Sequence, residues 1–444
     1  MAPDRSTRSA FLSLMLGLAS PAVLAEDIRV SKTGDSDDGV CNADCSLREA
    51  IAYAAAQPGS HRIRLAEGRY VLDPGGATRA GADDGLVVSG ELALVGAGTG
   101  KTLLDGGRQG RLFSVSEGAR LHLEQLSLRN GRSATRGGAL LNQGETTLEH
   151  VELRDNQVYA IDPGPDHGWG GAIANYGWLD IRSSHLVDNQ AFSETTDEVR
   201  GGGLYNAGQL RMRNSTLERN NSSNGVDNGF GGGLYNQGLA DIARSTLVRN
   251  SQGEGGLGAA ILNTGVLRLV NSTLSNNPTY FGRGVLVNGR PQGQGGEGAQ
   301  ALLGNVTIAG NGNYGLMNFA AMAVRNSLVA GNRHINDDSE VFVRNCLNQG
   351  RSFAVRGLML GRDGHGCSAD LPLDDALTFT QVLEPLSAAP GAPPLHPLRA
   401  GSPAIDTGVG TCTASDQRKA LRPQDGNGDG VAGCDLGAYE RAAP

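Results

Sequence analysis

This 444-residue sequence predicts an all-β fold, a single-stranded right-handed parallel β-helix with a capping α-helix at its N-terminal end. Three observations carry that reading. First, seven copies of one pattern lie between Leu140 and Asn332: an apolar residue, a variable residue, then Asn. A second Asn follows fourteen positions later, closing copies at Asn156, Asn189, Asn220, Asn250, Asn277 and Asn332; the sixth copy carries nine extra residues and closes at Asn311. Constant spacing with varying residues marks a structural repeat. Second, the residues four and six after the first Asn alternate with polar ones: Thr146/Leu148, Leu179/Ile181, Leu210/Met212, Ala240/Ile242 and Leu267/Leu269. Such period-2 alternation belongs to strands with one buried face. Third, no repeat has a helix-forming half, which separates the pattern from a leucine-rich repeat, and 67 glycines favour turns.

Each element of a coil then has a role. Two residues before the first Asn stand Leu140, Ile173, Leu204, Leu234, Ile261, Leu286 and Leu316, an inward column. Thr147, Asp180, Arg211, Asp241 and Arg268 fall between the apolar columns, so stacking predicts a ladder of alternating charge on the outer surface. Gly144, Gly177, Gly208, Gly238 and Gly265, two after the first Asn, predict sharp left-handed corners. Aligned Asn side chains predict hydrogen bonding from coil to coil. The strands cannot bury their apolar face alone and must stack, and the crossover rule makes the winding right-handed. Short apolar runs at 63–72, 86–98, 102–107 and 112–131 read as opening coils, so the solenoid spans 63–345.

Residues 1–25 have the pattern of a secretory signal, with Arg5 and Arg8, an apolar run, and AVLA ending at Ala25 as the cleavage point. The run is too short to span a bilayer. Six cysteines suit an oxidising compartment, and their spacing suggests Cys41–Cys45, Cys346–Cys367 and Cys412–Cys434. The formal charge is −8, which favours neither nucleic acid nor an anionic membrane as partner. Within 26–62, Ser46 and Glu49 form a capping box for a helix whose Leu47, Ala50, Ile51 and Ala54 share one face. Its best use is to plug the open end of the stack. Residues 346–395 read as disulfide-bearing final coils and a linker, and 396–444 as a C-terminal unit.

CNADCSLREAI, with DSDDG upstream, resembles the CSLREA domain of secreted bacterial β-helix proteins. GSPAIDTG, DQRKALRP and CDLGAYE near the C-terminus resemble the choice-of-anchor Q domain, and the GGAI-like elements resemble polymorphic outer-membrane-protein repeats. One departure is Lys419, where that tail pattern has Gly after DQR. The resemblance implies a pectate-lyase-like solenoid, extracytoplasmic and adhesin-like, without implying a common activity.

The connectors leaving each coil shorten from 13 residues to 11, 10, 7, 5 and 1, and should form one tapering loop wall. Loops on a rigid scaffold are where binding residues concentrate. Tyr159, Asp162, Asp166, His167 and Trp169 lie on the longest connector; Glu194, Asp197, Glu198 and Arg200 follow; then Asp227 and Phe230, and Tyr280 and Phe281. Rings stack on sugar faces and carboxylates accept hydroxyl hydrogen bonds, so the wall predicts binding of extracellular polysaccharide or cell-envelope material. Solvated loops without a ligand are the plainer alternative. An enzymatic reading, polysaccharide lyase or glycoside hydrolase, would use Asp162, Asp166, His167 and Arg200 as acid, base and carboxylate-neutralising cation. Asp425, Asn427 and Asp429, with Asp435 or Glu440 replacing the missing acid at Leu436, predict a calcium loop. Nothing calls for an organic cofactor. His365 in Gly-His-Gly reads as a turn beside Cys367, and His122, His150 and His185 as surface residues.

Overall fold

The computed structural model describes residues 26–72, 85–160, 167–194, 198–224, 229–253, 255–279, 283–335, 339–362 and 366–443. The signal-like segment, Asp162, Asp166, Asp197, Asp227, Tyr280, Phe281 and His365 lie outside them. The chain is a parallel β-solenoid with three principal walls, which among the described residues are an 18-stranded sheet, a 10-stranded sheet of three-residue strands, and a 5-stranded sheet. Registers follow the repeat. Leu140, Ile173, Leu204, Leu234, Ile261, Leu286 and Leu316 are successive partners in the 10-stranded sheet, each at most 1% exposed.

Both Asn columns form ladders. Asn142 donates its amide to Asn175, Asn175 to Asn206, and the chain runs through Asn236, Asn263, Asn288 and Asn318 to Asn348 at 2.7–2.9 Å. The second ladder links Asn156, Asn189, Asn220, Asn250, Asn277, Asn311, Asn332 and Asn345, and ends on the Asp375 carboxylate. Each amide also serves corner backbone, so buried polar groups are satisfied where strands stop.

The glycine expectation needs correction. Gly144, Gly177, Gly208, Gly238 and Gly265 do not have positive φ. They are required by close approach instead: a Cβ on Gly177, Gly208, Gly238 or Gly265 would meet the carbonyl oxygen of the equivalent glycine on the preceding coil at 2.0–2.2 Å. The left-handed bends fall elsewhere, on Gln125, His150, Ser183, Asn214, Arg244, Asn271, Asn305 and Asn326 (φ 45–53°), where each long strand turns.

The helix Leu47–Ala56 carries the full capping box, and its buried Leu47, Ala50, Ile51 and Ala54 join the solenoid core. All three disulfides are the expected pairs. The C-terminal residues lie along the outer flank of the long sheet. There Leu398, Ala404, Ile405 and Leu436 share a second core with Ala309, Leu328, Ala330 and Met359. Gln417 of the DQR motif accepts from the Thr273 hydroxyl (2.7 Å) and donates to Thr246 (2.9 Å). Arg422 and Glu440, both side chains fully buried, pair at 2.9 Å, and Arg422 also donates to the carbonyls of Asp435, Gly437 and Tyr439.

Candidate functional site

In the long sheet alternate residues point outward, so six neighbouring strands, Ser60–Arg64, Glu91–Val95, Arg120–Arg129, Glu145–Arg154, Trp178–Arg182 and Gln209–Arg213, present one continuous outer surface. A groove of about 470 Å³ runs across them, lined by Arg62, Arg120, His122, Thr147, Trp178, Asp180 and Arg211 among others. A second hollow of about 260 Å³ shares Trp178 and Arg211 and continues over Leu239, Asp241, Val266 and Arg268. One column in register, Trp178, Gln209, Leu239 and Val266, leaves large apolar side chains in solvent, with Trp178 41% and Leu239 50% exposed. Isolated apolar residues on a surface are ordinary, whereas here three share one column, interrupted only by Gln209.

Charge in the groove is unevenly matched. Arg120 braces Glu145 at 2.8 Å, Arg182 holds Asp180 at 2.6 Å, and Arg268 holds Asp241 at 2.9 Å. The expected ladder Thr147, Asp180, Arg211, Asp241, Arg268 is in register, residue opposite residue. Arg62 and Arg211 form no ion pair among the described residues. Their guanidiniums are available to a ligand's oxygens.

The loop wall is built differently from the sequence expectation. Its connectors begin as strands of the 5-stranded sheet, Gln157–Ala160, Gln190–Ser193, Asn221–Asn224 and Ser251–Gln252, because the Asn ladder continues the stack past the corner. They return as a short parallel ladder, Val199–Arg200 beside Gly229–Phe230, with Trp169 bridging to Arg136 and Arg200. Trp169 and Phe230 are each 8% exposed. They fold back over the outer face of the 10-stranded sheet and pack with Tyr205, Tyr235, Leu262 and Val287. The Arg200 guanidinium lies 4.8 Å from the Trp169 ring centre, and Arg290 lies 4.4 Å from that of Phe230. Glu198 ties the two arginines together, accepting two 2.9 Å bonds from Arg290 and two, at 2.9 and 3.2 Å, from Arg200. Burial pushes its carboxyl up, but the guanidiniums outweigh this and hold it below the ordinary range. At the outer corner Tyr159 stacks on Phe192 at 5.4 Å and donates to Glu194, while Arg132 sits 4.8 Å above the tyrosine. His167 is half-buried at the start of the returning segment. The described wall residues thus form a closed aromatic and arginine roof, with rings and acids engaged by one another.

At the predicted calcium loop, the Asp425 carboxylate accepts the amides of Gly428, Asp429 and Gly430, and Asn427 and Asp429 accept amides two residues on. Asp435 is buried and its oxygens accept the amides of Asp406 and Arg441. Among the described residues no group of three or more His, Cys, Asp or Glu is placed to hold a metal. These side-chain oxygens brace the backbone turns of the loop.

Trp178, Arg62 and the open groove escaped the sequence reading, which took the outward column only as a charge ladder. The signal was present: alternation puts Trp178 three after an Asn and outside, where a large ring has no packing role.

No family model and no curated protein matches this chain. Among solved structures, pectate lyase Pel9A is similar with TM-score 0.50 and 17% identity, over 94% of this chain and 96% of that one. PL6 family alginate lyase AlyGC has TM-score 0.36 and 12% identity over 83% and 55% of the two chains. The A-module of Azotobacter vinelandii mannuronan C-5 epimerase AlgE4 has TM-score 0.31 and 13% identity over 75% of each. At these identities the pectate lyase likeness shows the fold, a parallel β-helix, and nothing of this chain's chemistry.

Proposed function

We propose that this chain is an exported β-helix that holds an extended polysaccharide along the outer face of its long sheet without cleaving it. The observation that carries the reading is the groove across six strands, where exposed Trp178 lies with Arg62 and Arg211, cations that have no protein partner among the described residues. Strands stack at about 4.8 Å, so the distance from Arg62 to Arg211 is roughly 24 Å, room for several sugar units. An indole offers a sugar its apolar face, and guanidiniums donate to its oxygens. The loop wall, which the sequence favours, is the lesser candidate: its described acids and rings are mutually engaged.

Export rests on the signal pattern of residues 1–25 and on three disulfides, which persist in oxidising compartments. Among the described residues no helix is long and apolar enough to cross a membrane. The CSLREA and choice-of-anchor Q readings of the two ends belong to the same proposal, as does calcium at the tail loop; a thermal midpoint indifferent to calcium and to chelator removes the ion.

The test is incubation of the purified chain with neutral and uronate polysaccharides, following binding, new reducing ends and unsaturated-uronate absorbance together. Binding without product, weakened by Trp178→Ala and by Arg62→Gln, supports the proposal. Chain cleavage makes the protein a lyase or hydrolase instead. Binding that survives both substitutions removes the groove.

A further inference from the structure

The groove contains a carboxylate whose hydrogen bonding is incomplete. Asp180 is 3% exposed, and its Oδ2 accepts from Arg182 at 2.6 Å while its buried Oδ1 has no donor. Buried polar oxygens in folded chains nearly always have a partner, and one without is a place where a partner is missing. Its neighbours in register are Thr147 on one side and Arg211 on the other, and neither donates to it. Trp178 stands two residues earlier on the same strand and therefore on the same face.

We propose that Trp178, Asp180 and Arg211 form one sugar subsite that takes a neutral pyranose, a reading that rests on the groove being the polysaccharide face. The ring's C–H face lies on the indole, and one hydroxyl accepts from the Arg211 guanidinium and, displacing the side chains that cover it, donates to Asp180 Oδ1. A hydroxyl has one proton to give and lone pairs to receive, so an acid and a guanidinium on adjacent rungs complete it from both sides. Adjacent parallel strands lie about 4.8 Å apart, which lets both side chains reach one oxygen. Arg182 holds the other carboxylate oxygen and fixes the Asp180 side chain. A uronate or sulfate oxygen at this position has no proton to give Asp180 Oδ1, so the subsite selects an uncharged, hydroxyl-bearing unit. Acidic units on the same chain would sit further along, toward Arg62.

The experiment measures affinity of the full chain for neutral hexasaccharides of glucan, galactan and mannan and for uronate hexamers, by calorimetry. Variants are Trp178→Ala, Asp180→Asn, Arg211→Gln, Arg182→Gln and Arg62→Gln, each checked for an unchanged thermal midpoint. The first three are expected to lose about tenfold or more for a neutral ligand, with Arg182→Gln losing less than Asp180→Asn. If Arg62→Gln weakens binding while Asp180→Asn and Arg211→Gln do not, the groove stands and the subsite is overturned. Equal losses in Asp180→Asn and Arg182→Gln also overturn it, because the broken ion pair then explains both. Tighter uronate binding by Asp180→Asn, with no loss for neutral ligands, overturns the selection for an uncharged unit. No binding by the parent chain to any member overturns groove and subsite together.

Discussion

The long sheet has two stretches of the same outer flank that differ in what covers them. On the earlier coils the column beyond the bend carries Glu152, His185 and Thr216, with Arg154 two residues after Glu152 and Glu218 two after Thr216; it is half-buried and knitted by ion pairs among Arg129, Glu152, Arg154, Asp188, Arg219, Glu218 and Arg249. On the later coils the same column reads Thr246, Thr273, Thr307 and Leu328, and the C-terminal residues lie on it. The bend residue changes in step: Asn271, Asn305 and Asn326 bond to Ser415, Asp435 and Val409 of the tail. One repeat thus encodes two surfaces, charged where water must be met and small, hydroxylated or apolar where a second layer must dock.

The largest expected effect comes from breaking the tail's internal knot. Arg422→Ala leaves Glu440 buried without its cation and three carbonyls without a donor. Removing one member of a buried pair costs about 3–5 kcal/mol. Hydrogen exchange should show residues 396–443 losing protection while the Asn-ladder coils keep theirs. Equal loss in both would mean the two layers fold as one unit and the contrast is only one of surface chemistry.

Exchanging the two columns tests the contrast directly. Thr273→Glu puts an open-flank charge beneath Gln417 and should cost about 2–4 kcal/mol of stability, read by denaturation, because the carboxylate is desolvated without a partner. His185→Thr makes the reverse change on the half-buried flank, where Glu218 retains Arg219 and Arg249, and should cost no more than about 1 kcal/mol. Comparable costs for both would show that the column does not record what covers it.

The two stretches should also respond to pH with opposite sign. On the open side, arginine outweighs burial and holds Glu152 below the usual carboxylate range, and Arg219 does the same for Asp188. Their contribution is present above the unfolded value of about 4 and is lost as pH falls through their lower folded values. In the tail, burial raises Asp435 to about 6 and Glu440 to about 7. Those acids bind protons more tightly when folded, so their contribution is full below about 4 and lost as pH rises toward 7. Exchange protection measured between pH 4 and 7 should fall with rising pH in the tail and not in the coils. A parallel trend in both would remove the assigned difference.

Much of this architecture was legible because a solenoid repeats its constraints. The inward Leu and Ile column, both Asn columns and the Ser46/Glu49 cap each follow from local spacing, and each stands in the expected place. The binding face was not legible in the same way. Trp169 and Phe230 look like presented rings in sequence, yet the return of each connector brings them over Tyr205 and Tyr235, a packing that depends on loops several coils apart. Arg290 reaching Glu198 across 92 residues has no local signature at all. The docking of the tail was likewise invisible, although the run of Thr and Asn in later repeats marked where it would lie.

Lys419 gives the smallest and most specific test of the tail layer. It follows Asp416, Gln417 and Arg418, and sits at φ 76°, in the left-handed region where a side chain is strained. Its backbone is held there by the Asp416 carboxylate, which accepts from the amides of Arg418 and Ala420, and by the Lys419 amide donating to the Asp416 carbonyl. Glycine at this place relieves a left-handed strain of about 1–2 kcal/mol and adds about 0.5–1 kcal/mol of unfolded-chain entropy. Lys419→Gly should therefore stabilise the tail by roughly 0.5–1 kcal/mol, with exchange in the N-terminal coils unchanged. Arg108, also left-handed (φ 61°) but in an opening coil, is the control: Arg108→Gly should slow exchange around its own turn and leave the tail as it was. If Lys419→Gly instead loosens residues 396–443, the lysine side chain contributes a contact worth more than the strain it carries, and glycine in that motif is not a matter of backbone geometry.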